Sequence, residues 1–289
     1  MVIGAGPGGY VAAIEAAQLG AKTAIAEKKA FGGTCLNRGC IPTKALLACG
    51  EKAADMQKHA KDFGLEVPEV ILHFEQMQKR KERIVMKMRK GIEFLMKQNQ
   101  ITTYCGEASF VDMHHVQIGE EVVFADKIII ATGSVPRKLR FLGENARLLD
   151  SDQLLQIDHI PQSLIIIGGG VIGVEFSNVM QNLGCQVTIV EMLPEILPPV
   201  DGELAKTLHK ELQKQGIKIM TAAKVLKAAD DGQQAVVTVE KEDGLQTELN
   251  AELVLVAPGR AAYWDGLSLE NAGVQYEKNG ILVNENLQT

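Results

Sequence analysis

A layout of strand, glycine turn, helix, second strand and glutamate occurs twice in this sequence, at Met1–Glu27 and again at Leu164–Glu191. In the first copy Gly4-Ala5-Gly6-Pro7-Gly8-Gly9 opens an alanine-rich helix, and Lys22–Ala26 forms an apolar strand before Glu27. In the second, Gly168-Gly169-Gly170-Val171-Ile172-Gly173 follows the strand Leu164–Ile167, and Gln186–Val190 precedes Glu191. The interval from first glycine to glutamate is 23 residues in both. A chain that repeats this unit is constrained to build two α/β halves around parallel strands.

One such motif alone is weak evidence, because glycine serves any tight turn. Here each copy sits between a strand and a helix, with an acidic residue at the distance expected of a dinucleotide fingerprint. Gly4 and Gly168 permit the turn, Gly6 and Gly170 let a pyrophosphate approach the backbone, and Gly9 and Gly173 allow close helix-to-strand packing. Pro7 and Gly8, like Val171 and Ile172, lie at helix N-termini whose free N–H groups suit phosphate. Glu27 and Glu191 are expected to accept hydrogen bonds from ribose hydroxyls, and at Glu191 a carboxylate favours NAD over a 2′-phosphorylated relative. Two bound dinucleotides are therefore expected rather than two empty turns.

Apolar runs at Lys127–Ala131 and Leu253–Ala257, each ending in a turn, predict further buried parallel strands. Two helices are expected between Thr43 and Asn99, broken around Gly64–Pro68, with short strands near Ile101–Tyr104 and Val116–Phe124. The spacing of Met77, Ile84, Met88, Ile92 and Leu95 predicts an amphipathic helix whose basic residues, Lys79–Lys90, fill the solvated side. The expected domains are residues 1–150, 151–267 and, as the start of a return segment, 268–289.

A formal charge of −6 argues against general nucleic-acid affinity, which is driven by neutralising phosphates. No apolar run approaches the ~20 residues a membrane-spanning helix needs. With the glycine motif beginning at Gly4, no leader peptide is visible, so a cytoplasmic location is expected. Five cysteines in 289 residues are too sparse for a secreted disulfide scaffold.

The chemistry concentrates in Gly32-Gly33-Thr34-Cys35-Leu36-Asn37-Arg38-Gly39-Cys40-Ile41-Pro42-Thr43-Lys44. In a regular helix, residues five apart have Cα atoms about 8.6 Å apart. A disulfide needs Cα atoms within ~7 Å, so a bridge requires the backbone to leave regular helix between Cys35 and Cys40. Gly39 permits that, and Pro42 suits the first turn of a following helix, whose dipole favours a thiolate at Cys40. Lys44 lies one turn further on. A zinc site with Cys49 and His59, unpaired buried thiols, and a merely superficial Lys44 are the alternatives on spacing alone. No metal is expected, because the spacing fits no usual zinc pattern. Cys49, Cys105 and Cys185 carry no pairing signal and are expected to be buried thiols.

The run GGTCLNRGCIPTK resembles the active-site signature of the pyridine nucleotide-disulfide oxidoreductases, with Leu36, Asn37 and Ile41 in the form typical of its dihydrolipoamide dehydrogenase branch. The likeness covers the whole chain. It implies an α/β fold of two Rossmann-like domains, with FAD in the first nucleotide unit and NAD in the second, and with a two-helix insertion and β-meanders. It implies a disulfide between Cys35 and Cys40, FAD contacts from Gly33, Thr34, Cys35 and Lys44, and Gly106-Glu107-Ala108 on the adenine side of FAD. Ala131-Thr132-Gly133-Ser134 would close the flavin domain, Lys44 would pair with Glu175 near the flavin, and Val225 and Gly259 would line the NAD site. Read without the resemblance, Glu175 is as readily a carboxylate on a helix surface. The implied reaction reoxidises dihydrolipoyl groups on a lipoyl-bearing protein domain of a 2-oxoacid dehydrogenase or glycine cleavage complex. Dihydrolipoamide attacks the Cys35 sulfur, a mixed disulfide resolves, and electrons pass from Cys40 through FAD to NAD.

The sequence departs from this family in two ways. Ala261-Ala262-Tyr263-Trp264 stands where an Arg-Pro-Asn run usually follows Gly259-Arg260, and Pro258 is also unusual. A flavin-ribitol Gly-Asp motif and a dimerisation domain with a His-Glu pair are absent after Thr289, and the first strand has only three residues before Gly4. The chain is therefore expected to be a fragment or a shortened gene product, without the interface through which full-length members form homodimers. His59, His73, His114, His115, His159 and His209 do not match that pair and are expected at the surface or as filler. Another flavin disulfide reductase, for glutathione or mercuric ion, and an inactive nucleotide-binding fragment are the competing readings.

Overall fold

The computed structural model describes residues 1–143 and 145–289. It divides into two units, one of residues 1–41, 83–135 and 260–289, the other of residues 42–82 and 136–259.

In the first unit a parallel sheet runs in the order Thr102–Cys105, Ala24–Glu27, Val2–Ile3, Ile129–Ile130. Val2 and Ile25 pack against Ala13 of the helix Pro7–Gln18 and against Val85, Ile92 and Met96. Burial on that face explains why the strands read as continuous apolar runs. The other face, with Ile3 and Ala26, meets Phe110, Val116 and Ile118 of a separate antiparallel sheet. That sheet consists of Ala108–Phe110, His115–Ile118 and Glu121–Phe124, so the expected strand Val116–Phe124 is two strands joined at Gly119.

In the second unit five parallel strands lie in the order Lys218–Met220, Gln186–Val190, Ser163–Ile167, Leu253–Val256, Leu148–Leu149. The helix Val171–Asn182 covers one face through Val174, Val179 and Met180. An antiparallel sheet of Ala223–Asp230, Ala235–Lys241 and Gln246–Ala251 covers the other through Val225, Val237 and Val239.

The expected helix pair is present as Cys40–Ala54 and Phe74–Gln98, and the chain between them turns at Gly64. The charge pattern of the second helix differs from expectation. Lys81 is buried, whereas Met88 and Leu95 of the expected apolar stripe are exposed and Val85 and Met96 point inward instead. Lys81 donates to the Leu155 carbonyl at 2.6 Å, which explains how an ammonium is tolerated there. Among the described residues no helix is long and apolar enough to cross a membrane.

Candidate active site

The two glycine turns are near copies. Gly4 and Gly168 take φ of +101° and +113°, and a Cβ at either would collide with a carbonyl, of Ala131 and Ala257 respectively. A Cβ at Gly9 or Gly173 would strike the carbonyl of that first glycine. Only glycine lets helix and strand approach this closely, as the spacing predicts.

The glutamates repeat as well. Glu27 accepts from the Ala5 amide through Oε2 and from the Lys29 amide through Oε1, both at 2.9 Å. Glu191 accepts from Gly169 at 2.6 Å and Leu193 at 2.8 Å through the matching oxygens. Each carboxylate thus braces its own turn, a role the spacing alone does not reveal. A carboxylate has about four acceptor positions, so each keeps lone pairs beyond these two contacts; Glu27 is half-buried and Glu191 buried. With first and last glycines that exclude a side chain in each turn and a carboxylate at each strand end, both units fit a dinucleotide.

The helix Gly33–Arg38 begins directly against the first turn: Gly33 has φ +57°, and a Cβ there would collide with the Gly6 Cα. This helix ends at Gly39, and Cys40–Ala54 starts anew with Pro42 in its first turn. A Cβ at Gly39 would meet the Thr34 carbonyl at 3.0 Å and the Cys35 Cα at 3.3 Å. The break that a bridge requires is present, and Cys35 and Cys40 stand near disulfide distance. Cys35 is half-buried and Cys40 exposed.

Two arginines outside the signature hold this segment. Arg89 donates to Asn37 Oδ1 at 2.7 and 3.1 Å, while Asn37 Nδ2 donates to the Phe31 and Gly33 carbonyls at 2.9 Å. Arg260 donates to Ser134 Oγ at 2.8 Å, to the Ser134 carbonyl at 2.6 Å and to Thr34 Oγ1 at 3.4 Å. Long sequence separation hides both arrangements.

The remaining candidate residues fall as follows. Lys44 forms an ion pair with Glu175 in the second unit. Thr132 donates its hydroxyl to the Tyr263 carbonyl, and Gly133 has φ +73°. Ala108, with Gly4 and Thr132, lines a cavity in the first unit. In the second unit Val225 is buried in the apolar core, and the Gly259 carbonyl accepts from the Arg137 amide at 3.0 Å. Pro7, Gly8, Val171 and Ile172 occupy the first turns of their helices. Of the three expected buried thiols only Cys185 is buried. Cys49 is half-buried, and Cys105 is exposed because its strand is the edge of its sheet.

The family described as Pyridine nucleotide-disulphide oxidoreductase matches residues 1–289. A dihydrolipoyl dehydrogenase of Bacillus subtilis strain 168 is 39% identical over 295 aligned residues, covering 100% of this chain and 64% of that protein. A dihydrolipoyl dehydrogenase of Mycobacterium tuberculosis is 43% identical, with coverage of 100% and 63%. Among solved structures, the HOCl-induced flavoprotein disulfide reductase RclA from Escherichia coli is similar at a TM-score of 0.85 and 28% identity. That likeness covers 100% of this chain and 62% of RclA. The chain therefore spans less than two thirds of the relatives it matches.

Proposed function

The chain belongs to the pyridine nucleotide-disulphide oxidoreductase family, and on that premise we propose that it serves as the dinucleotide-binding part of a dihydrolipoyl dehydrogenase, passing electrons from dihydrolipoyl groups through Cys35 and Cys40 to NAD. The observation that carries this reading is the seating of the cysteine helix on the first glycine turn, Gly33 against Gly6. A dithiol pair begins two residues beyond a dinucleotide cradle, so electrons leaving the sulfurs have an acceptor site at hand.

FAD would be held at Gly4, Gly6, Pro7, Gly8, Gly9 and Glu27, with Gly33, Thr34, Ala108 and Thr132–Ser134 around it. NAD would be held at Gly168, Gly170, Val171, Ile172, Gly173 and Glu191. When bound, FAD and NAD supply the two-electron chemistry that reoxidises the dithiol pair. The protein's own step is thiol–disulfide exchange. A substrate thiolate attacks the Cys35 sulfur, the Cys35–Cys40 bond breaks, and Cys40 leaves as a thiolate. The second substrate thiolate then displaces Cys35, which closes the substrate disulfide and leaves both protein sulfurs reduced. The two protons of the substrate dithiol pass to the protein sulfurs or to solvent. The Gly39 break brings the sulfurs together for this exchange, and Arg89 fixes the helix through Asn37.

The substrate is proposed to be a lipoyl group on a protein domain, from the identity with dihydrolipoyl dehydrogenases. The test is to supplement the 289-residue chain with FAD, add dihydrolipoamide, and count thiols and NADH formed. A flavin spectrum, dithiol formation lost in both C35S and C40S, and NADH formation are expected. Failure to bind flavin would overturn the reading. Reduction of glutathione disulfide with NADPH, but no reaction with dihydrolipoamide, would move it to another reductase of the family.

A further inference from the structure

The run Ala261–Trp264 is where the sequence leaves its family's pattern, and Tyr263 lies within it. Tyr263 lines the cavity of the first unit with Gly4, Glu27, Lys28 and Ala108. Its backbone is fixed on both sides: its amide donates to the Gly133 carbonyl at 3.0 Å and its carbonyl accepts from the Thr132 hydroxyl. Its side chain is fixed as well. Lys28 Nζ lies 2.6 Å from the phenol oxygen and 4.2 Å from the ring centroid, and the same ammonium contacts Glu107 at 3.4 Å. Burial pulls the Lys28 pKa down, but the hydrogen bonds to Tyr263 and Glu107 outweigh it and leave it raised. The cation is thus held against the ring.

Glu27 marks which end of a dinucleotide this cavity meets. It ends the strand beside the glycine turn, the position at which a fingerprint carboxylate meets the ribose of the adenosine half. A nucleoside there lies along a cavity wall that, in this chain, is an aromatic ring.

We propose that Tyr263 is a specificity-determining residue for the adenosine end of the flavin cofactor, its ring forming the wall on which the nucleoside packs and Lys28 holding that ring in place. The inference rests on the flavin reading above. A tyrosine ring offers an aromatic face on which a base can stack. Lys28, engaged by Tyr263 and Glu107, acts as a positioning residue rather than as a phosphate ligand.

The experiment titrates the 289-residue chain, with saturating NAD present to occupy the second unit, with FAD and, separately, with ADP, which carries the adenosine half alone. Y263N is expected to weaken both by about tenfold or more, the scale of one lost stacking contact. Y263F keeps the ring and loses the contact with Lys28, so ADP affinity should fall by a smaller factor, roughly two- to fivefold. NADH binding should be unchanged in both, which reports that the protein remains folded. If Y263N does not fold, Y263L, which also removes the aromatic ring, decides the matter, and K28M reports the contribution of the ammonium. ADP affinity equal to that of the parent chain in the folded variants would overturn the role of Tyr263. So would loss of FAD affinity with ADP affinity intact. A parent chain that binds neither FAD nor ADP would overturn the flavin reading along with it.

Discussion

Gly33 and Gly6 approach so closely that a Cβ at Gly33 would lie 2.4 Å from the Gly6 Cα, so a larger residue there requires the helix or the first glycine turn to move. Gly33→Ala must also adopt φ +57°, a conformation that costs alanine on its own account. The expected loss is about 1–3 kcal/mol in urea unfolding, together with weaker flavin binding. Gly91→Ala is the contrasting substitution. Gly91 lies inside the helix Phe74–Gln98 with open space around its Cβ position, so alanine should stabilise by about 0.5–1 kcal/mol. Equal stability of G33A and the parent chain would refute the close seating of the cysteine helix.

The thiols should separate by reactivity. Burial pushes the Cys185 thiol up to about 12, with a smaller contribution from Glu252, so it carries almost no thiolate at neutral pH. Mass-spectrometric labelling of the native chain with an alkylating reagent should leave Cys185 unmodified until the chain unfolds. Exposed Cys105 should be labelled at once. After mild oxidation Cys35 and Cys40 should resist labelling together and become reactive together on dithiothreitol treatment. Labelling of Cys40 alone in the oxidised sample would argue against the pair.

Sequence and structure agree where spacing encodes geometry. The 23-residue interval from Gly4 to Glu27 and from Gly168 to Glu191 yields turns with the same φ signs and the same pair of carboxylate contacts. The five-residue interval between cysteines demands a broken helix, and Gly39 supplies the break. What was not legible depends on partners distant in sequence. Lys81 looks like one more solvated charge in a basic run until the Leu155 carbonyl arrives beside it. Arg89 and Tyr263 carry no motif, and their contacts with Asn37 and Lys28 follow only from the fold. Cys105 reads as a small apolar residue, but its strand lies at a sheet edge, where burial is incomplete. The strands Ala223–Asp230 and Gln246–Ala251 are not marked in the sequence, because their outward positions carry Lys, Glu and Asn, which mutes the apolar signal.

Lys81 predicts a rise in stability toward alkaline pH. Its pKa is lowered from 10.5, chiefly by burial, with Glu82 opposing in part. A lysine whose folded pKa is depressed holds its proton more weakly in the folded than in the unfolded chain. The resulting penalty is present below the folded value and is relieved as pH rises from there to 10.5. Relative to K81M, the parent chain should therefore gain stability across that window and show a constant difference at neutral pH. Urea unfolding of both proteins from pH 7 to pH 10.5 measures it. A gap that stayed constant throughout would show that Lys81 is not buried as a cation.

His159 and Glu252 predict a second pH effect, at the acidic end. His159 Nδ1 lies 2.6 Å from Asp158 and Nε2 lies 2.7 Å from Glu252, which raises its pKa above 6.5 through the Asp158 and then the Glu252 hydrogen bond. Burial pushes Glu252 up, but His159 and the Gln162 amide outweigh it and leave its pKa below 4.5. A raised histidine contributes stability that is complete below 6.5 and lost as pH rises through its folded value. A lowered carboxylate contributes stability that is complete above 4.5 and lost as pH falls through its own. The two conditions overlap between 4.5 and 6.5, so His159→Gln should cost most there and progressively less as pH rises through the raised histidine value. His159 is well exposed and Glu252 partly so, which limits the loss to about 0.5 kcal/mol or less and makes it sensitive to salt. Unfolding of H159Q and parent at pH 5.5 and pH 8.5, in low and high salt, is the measurement. A cost larger at pH 8.5 than at pH 5.5 would reverse the sign and exclude a protonated His159 as the partner of Glu252.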